Sequence, residues 1–271
     1  MASYQAGISR VSMMDVFFNM LPQPKRLPSI VTWGNFDGMH LGHQAIMQAL
    51  KESDLNSVVV LFDPHPKVFF NSAHHIDIMS LNDKIQFLAS MGINQVLVCD
   101  FNASFSRLSA QQFLQKIVIN EVLADTIVLG HQAHFGADRK GDLALAASMG
   151  LKALEIAWHY DEEGHKISST LLRKLLQQGD VALVNRMIGR SWSFKAKLEQ
   201  PSISKSYMLQ ALGLKALGDG TYSAKLLSKQ SSLDVLLQVT SHAGHQVVSV
   251  IDGLDGFSKE LPESLSVVLE G

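Results

Sequence analysis

The sequence predicts an α/β chain, a Rossmann-like parallel sheet followed by a small β-barrel-like domain. Three observations lead there. Through the first two thirds, short apolar runs alternate with segments of helical periodicity. The runs are nearly continuous in apolar residues, as strands covered by helices on both faces must be. Near Gly189 the pattern changes to short strand-like runs separated by Gly, Ser and Asp clusters, the spacing of a small barrel. At 271 residues the chain exceeds the roughly 150 residues of an average domain. It divides into residues 1–188 and 189–271.

The elements follow in order. Ser29–Trp33, rich in β-branched residues, is the first strand. It stops at Gly34, and a helical pattern runs from Leu41 to Leu50. Ser57–Phe62 is a second buried strand, stopped by Pro64 and Pro66. Ser80 and Asp83 open a helix reaching Met91, and Gln95–Val98 is a third strand. Ser109 and Gln112 form a capping box for a helix to about Leu123. Asp125–Leu129 is a strand, Gly141–Met149 a helix and Ala153–Ala157 a strand. Gly179 separates helices over Thr170–Gln178 and Asp180–Ile188. In the second domain, strands are expected over 193–198, 222–227, 233–239 and 246–250.

Composition narrows the function. Hydrophobic residues at 46% and charged residues at 18% exclude a disordered chain. Lys and Arg number 23 against 25 Asp and Glu, so neither bulk nucleic acid nor an anionic membrane surface is expected as a partner. The single Cys99 excludes an internal disulfide framework and fits a reducing, cytoplasmic setting. Val11–Leu21 is apolar but broken by Asp15 and Asn19, so it is not read as a signal peptide.

The sharpest local signal is Gly34-Asn35-Phe36-Asp37-Gly38-Met39-His40-Leu41-Gly42-His43. It sits between the first strand and the first helix. Gly34 and Gly38 allow a tight turn and close approach to a ligand. The helix start offers free N–H groups to an anion. His40 and His43, three apart, share one side of that start and can donate hydrogen bonds to phosphates and to a leaving pyrophosphate. Further along, Ser168-Ser169-Thr170 caps a helix and Arg173 stands one turn later, a second phosphate-binding pattern. Asp63-Pro64-His65-Pro66 makes a stiff exit from the second strand.

These residues carry a resemblance. The glycine and histidine run resembles the phosphate-binding signature of the nucleotidylyltransferase superfamily. The string from Gly34 to Gln44 is similar to that of the prokaryotic FAD synthetase family, which usually fuses an FMN adenylyltransferase domain to a C-terminal riboflavin kinase. Phe62-Asp63-Pro64-His65-Pro66, Phe135-Gly136, Arg139-Lys140-Gly141-Asp142, Ile167 to Thr170 with Arg173, Asn185 and Gly189-Arg190 match in the same order. The resemblance implies a nucleotidylyltransferase-type sheet that transfers AMP from ATP to FMN, giving FAD and pyrophosphate. It implies catalytic roles for His40, His43 and Arg173. Binding of nucleotide or flavin falls to Gly34, Asn35, Phe36, Asp37, Gly38, His65, Gly130, Phe135, Ser168, Ser169 and Thr170. Mg²⁺ is expected to arrive with ATP, with no metal site made by the protein alone.

The departures from that pattern are specific. Gly130-His131-Gln132-Ala133-His134-Phe135-Gly136 stands where the family has Gly-x-Asp-Phe-x-Phe-Gly, so Gln132 replaces an acid and Ala133 an aromatic. Leu171 stands where an Arg is usual. His131 and His134 have no third partner that would make a metal site. Between Lys197 and Tyr207 the chain has Gln200-Pro201-Ser202-Ile203 and no Pro-Thr-Ala-Asn, so the second domain is expected to be a shortened, degenerate riboflavin kinase module without kinase activity. Two other readings stay open: the same chemistry on a different phosphorylated acceptor, or a nucleotide- or flavin-binding regulator with weak catalysis.

Overall fold

The computed structural model describes residues 8–22, 26–70, 76–199, 207–211, 217–228, 231–242, 245–254 and 265–270. The chain divides into two compact units, Met1–His75 with Leu81–Lys166, and Ile76–Ser80 with Ile167–Gly271.

The first unit holds β1 (Ile8–Val11), β2 (Met14–Phe18), β3 (Ser29–Trp33), α1 (Leu41–Lys51), β4 (Asn56–Asp63) and the single turn α2 (Pro66–Phe69). After these come α3 (Leu81–Ser90), β5 (Gln95–Asp100), α4 (Ala110–Phe113), β6 (Ala124–Gly130), α5 (Leu143–Ser148) and β7 (Lys152–Ile156). The strands form one sheet in the order β1-β2-β5-β4-β3-β6-β7. All neighbours are parallel except β1 and β2. From β3 the chain steps outward to β4 and β5, then returns to place β6 on the other side of β3. The order therefore switches between β3 and β6, and ligands of such sheets bind beyond the carboxyl ends at that point.

The apolar runs fill both faces as expected. All five residues of β3 are buried, and so are Ser57 to Leu61 of β4. On one face Trp33 meets Phe113 at 5.3 Å and Phe135 at 5.0 Å between ring centroids, both edge-on. Such aromatic pairs add about 1 kcal/mol each to the burial of their rings. Ser109 makes the expected capping box with Gln112. The helix it opens continues as a π-turn from Leu114 and ends at Ile119, short of Leu123, which takes a left-handed φ of 49° before β6.

Geometry alone requires glycine at position 136. Its φ is +75°, and an added Cβ would lie 2.5 Å from the backbone of Ala110. Gly136→Ala should therefore lower unfolding free energy by about 2 kcal/mol or more, since a left-handed φ alone costs about 1–2 kcal/mol. Urea denaturation reads this directly, and an unchanged midpoint would contradict it.

The N-terminal hairpin β1–β2 was not legible in the sequence. Its strands are short, and Asp15 and Asn19 interrupt the apolar pattern. β2 is nevertheless buried at Met14, Val16 and Phe17, pairing in parallel with β5.

The second unit begins with α6 (Ser169–Gln178) and α7 (Val181–Ile188), each closed by a left-handed glycine, Gly179 and Gly189. It continues with β8 (Ser193–Glu199), β9 (Tyr207–Ala211), β10 (Gly220–Leu227), β11 (Ser232–His242), β12 (His245–Asp252) and β13 (Leu265–Leu269). These close into a six-stranded antiparallel barrel in the order β10-β11-β12-β9-β8-β13. Closure removes the sheet edges. The barrel is thus complete rather than shortened, because two strands outside the expected set, β9 and β13, bridge its ends. Leu265, Val267 and Leu269 point inward with period two, as do Phe194, Ala196 and Leu198. Asn185 ties this unit together, donating to the Leu269 carbonyl and accepting the Trp192 N–H. The Gln200-Pro201-Ser202-Ile203 segment lies outside the described residues.

Candidate functional site

The turn after β3 is built from unusual backbone. Phe36, Gly38 and Met39 have φ values of 44°, 82° and 42°. Left-handed φ at Phe36 and Met39 costs free energy at non-glycine positions, and such strain persists where the surroundings hold it, often at functional sites. The turn is closed by Met39 N–H to the Phe36 carbonyl at 3.2 Å. The Gln44 amide donates to the Met39 carbonyl at 2.8 Å. Gly34 has a steric reason to be glycine: a Cβ there would lie 3.3 Å from the Phe36 ring.

His40 is the N-cap of α1. Its Nδ1 accepts the backbone N–H of His43 at 3.3 Å. An accepting Nδ1 carries no proton, so the neutral ring holds its proton on Nε2 and can donate there. His43 stacks on His40 with ring centroids 3.6 Å apart and stands edge-on to Phe36 at 5.2 Å. Burial lowers the His40 pKa to about 4, helped by nearby His159 and opposed by Asp37. Burial likewise holds His43 well below the usual imidazole range, with His40 and Lys84 adding to the effect. Both rings are neutral hydrogen-bond donors at neutral pH, not cations.

That geometry makes stability pH-dependent. Between the unfolded pKa of 6.5 and the folded value of about 4, the unfolded chain binds a proton at His40 and the folded one does not. Stability is therefore intact above pH 6.5 and falls as the pH drops, by about 1.4 kcal/mol per pH unit for each such histidine. Urea midpoints from pH 8 to pH 5 should decline, and His40→Asn should flatten the slope. An identical slope in that variant would contradict the assignment.

Asp37 is 2% exposed and Lys84, from α3, is 7% exposed; they pair at 3.8 Å. Lys84 was not singled out in the sequence, since nothing local marks a helix lysine as the partner of an acid 47 positions earlier (84 − 37). Among the described residues, three buried side-chain atoms have no hydrogen-bond partner: Thr32 Oγ1, Asn35 Oδ1 and His43 Nδ1. They belong to the end of β3, the turn beyond it and the first turn of α1. A buried unpaired polar atom costs about 1–3 kcal/mol. Their concentration at the sheet's switch point marks a place where a ligand would supply the missing partners.

The other sequence-predicted residues fall as follows. His65 caps α2, its Nδ1 accepting the Lys67 N–H at 3.0 Å, after a cis Asp63–Pro64 bond. Gly130 ends β6 beside β3, and its position faces the Ile46 side chain of α1 at 3.7 Å. Phe135 is 8% exposed and packs in the core against Trp33 and Phe113. His131 pairs with Glu155 at 3.0 Å and stands edge-on to Trp158, so it is not paired with His134. Gln132 is exposed at φ 56°, and Ala133 packs on the core. Among the described residues no three His, Cys, Asp or Glu side chains gather as a metal site. Burial pushes the Cys99 thiol up to about 12, which makes it unreactive.

Ser168, Ser169, Thr170 and Arg173 belong to the second unit. Ser168 Oγ accepts the Leu171 N–H at 3.2 Å as the N-cap of α6. Arg173 Nε donates to the Ile76 carbonyl at 2.7 Å. The second unit also buries Arg190, whose pKa falls to about 10 and whose guanidinium donates to the Ile188 carbonyl.

The mostly parallel sheet with its glycine- and histidine-bearing turn is an α/β domain, and its family is one of nucleotidyltransferases. Residues 23–171, more than half of the chain, match the FAD synthetase family, and the chain belongs to that family. It is 34% identical over 179 residues to a bifunctional riboflavin kinase/FMN adenylyltransferase of Buchnera aphidicola subsp. Schizaphis graminum, covering 63% of this chain and 57% of that protein. A protein of the same description from Escherichia coli K12 is 30% identical over 186 residues, covering 66% and 59%. These alignments span less than two thirds of either relative's length. A solved structure described as a macrolide-efflux protein from Streptococcus pneumoniae has the same fold, with a TM-score of 0.80 at 22% identity over 95% of this chain and 90% of that one. Among the described residues no helix is long and apolar enough to cross a membrane.

Proposed function

We propose that the protein is an FMN adenylyltransferase, in which the FMN phosphate attacks the α-phosphorus of ATP, FAD forms and pyrophosphate leaves. One observation carries this reading: the orphaned polar atoms of Thr32, Asn35 and His43 sit at the switch point of a nucleotidyltransferase-type sheet. The family supports the choice of acceptor. No protein nucleophile is needed; the chain positions the reactants and stabilises charge.

In this mechanism Gly34, Phe36 and Gly38 hold the turn open to the nucleotide. The Nε2–H of His40 and the ring of His43 donate to oxygens that gain charge as pyrophosphate departs. Ser168, Ser169, Thr170 and Arg173 are assigned to phosphate oxygens of the nucleotide, from residue type and helix-start context. Residues 1–188 are assigned this chemistry. Mg²⁺ suits the triphosphate, a hard cation on phosphate oxygens, and the uncommitted Asn35 Oδ1 is the donor in the turn that such an ion prefers. When bound, the cation neutralises part of the phosphate charge. Asp37 is already paired with Lys84 and shapes the turn instead.

Purified protein with FMN, ATP and Mg²⁺ should form FAD, followed by chromatography; retained ATP binding with no FAD above background would reject the reading. We assign no riboflavin kinase activity to residues 189–271, on the missing Pro-Thr-Ala-Asn string. Riboflavin with ATP should give no FMN, and robust FMN formation would overturn that assignment. The substitutions at Gln132 and Ala133 favour one second reading, a different phosphorylated acceptor; pyrophosphate release across a panel of phosphorylated acceptors separates the two.

A further inference from the structure

Resting on the nucleotide reading above, we infer that His159 is a third imidazole of the phosphate turn, which takes up a proton when a nucleotide triphosphate binds and contacts its phosphates as a cation. No motif points to this residue. It lies three positions beyond the end of β7, at the carboxyl edge of the sheet next to β6. The bare face of Gly42 joins it to the turn. A Cβ on Gly42 would lie 3.3 Å from Cε1 and Nδ1 of His40 and 3.8 Å from Cβ of His159.

His159 adds a cation to the Arg173 and Mg²⁺ already assigned to the phosphates. A triphosphate is a polyanion, yet the two signature histidines bring no positive charge. His40 accepts a backbone N–H at Nδ1, which a doubly protonated ring could not do. His43 keeps a buried Nδ1 with no partner, and a proton added there would find no acceptor. Lys84 is matched by Asp37 at 3.8 Å. Of the other charged groups along the chain around His159, Glu162 is exposed and Glu163 lies 3.6 Å from His165. Glu155 is held by His131 at 3.0 Å, Asp161 by His165 at 3.2 Å, and Lys166 lies 3.5 Å over the Trp158 ring. Tyr160 is exposed.

His159 differs from its two neighbours. It is only half-buried, and its Nδ1 lies 3.3 Å from the Ala157 carbonyl, which can only accept. Nδ1 therefore carries the proton of the neutral ring and Nε2 carries a lone pair. A proton from solvent adds at Nε2 with no bond broken. The resulting N–H gives phosphate a charge-assisted hydrogen bond. Proton uptake at this nitrogen on binding couples nucleotide affinity to pH.

The test is ATP binding by calorimetry on the full chain, in buffers of differing ionisation enthalpy, from pH 6 to pH 8.5. Wild type should take up more protons on binding than His159→Asn, which keeps a donor for the Ala157 carbonyl but cannot titrate. The ligand's own titration is common to both proteins and cancels in the difference. The ratio of variant to wild-type Kd should be large at pH 6 and fall toward one at high pH, changing by at most about tenfold per pH unit for one linked proton. His159→Lys should bind tightly across the whole range. Equal proton uptake and a pH-independent Kd ratio, with wild type binding ATP, would overturn the role of His159 and leave the nucleotide reading standing. Wild type that binds no ATP at any pH would overturn both. Melting curves on each variant check that the fold persists, and a variant that melts early but keeps wild-type proton uptake also counts against the inference.

Discussion

Replacing His43 with alanine is expected to cut FAD formation by about two to three orders of magnitude while the protein stays folded. The size follows from what one preorganised donor contributes to a transition state that gains charge. The fold should survive because His43 makes no side-chain hydrogen bond at Nδ1, and its neighbours are the stacked His40 ring and the edge of Phe36. His40→Ala should lose comparable activity but also cost about 1 kcal/mol, because it removes the N-cap of α1. The pair of variants thus separates a chemical role from a structural one within one turn. The loss should appear in kcat at saturating ATP if, as proposed, the donors act most strongly on the leaving pyrophosphate. Full turnover in His43→Ala would remove that ring from the mechanism.

The second large effect concerns the buried ion pair beneath the turn. Lys84→Met should destabilise the protein by about 3–5 kcal/mol, because it removes the cation paired with the Asp37 carboxylate in a site 2% exposed to solvent. Asp37→Asn combined with Lys84→Met removes both charges, and stability should return in large part. Activity should not return with it, since the double variant changes a side chain of the turn that runs through the left-handed Phe36, Gly38 and Met39. Denaturant midpoints of the two single variants and the double variant form the cycle. Additive losses would show that Asp37 and Lys84 act independently and would refute the pair as the support of the turn.

Much of this was legible in the sequence, for a physical reason. Runs such as Ser57–Phe62 can be little else than strands covered on both faces, and Gly179 and Gly189 end helices because both sit at φ values near 70°. The Gly34–His43 turn could be read because glycine, histidine and a helix start must adjoin for its chemistry. Four kinds of feature could not. The β1–β2 hairpin is too short and too interrupted to show a period. Strands β9 and β13 take their meaning from partners that close the barrel. Lys84 and His159 reach the turn through the tertiary fold, across 47 and 119 positions from Asp37 and His40 (84 − 37 and 159 − 40). The early end of the helix after Ser109 comes from a π-turn that local propensity does not register.

Roles expected of single residues also became more concrete. His65 is a helix cap as well as a loop histidine, and Phe135 packs in the core, so variants at either position should act on stability as well as on binding. The complete barrel shows that losing the Pro-Thr-Ala-Asn string has not cost the second unit its closure.

The most direct measurement is the nitrogen spectrum of the imidazole rings with and without ATP and Mg²⁺ at neutral pH. Neutral rings at His40 and His43, each with one protonated nitrogen, should shift strongly when nucleotide is added and stay uncharged. Rings that are protonated before ATP arrives, or that do not respond to it at saturation, would contradict the assignment of this turn as the grip on the nucleotide.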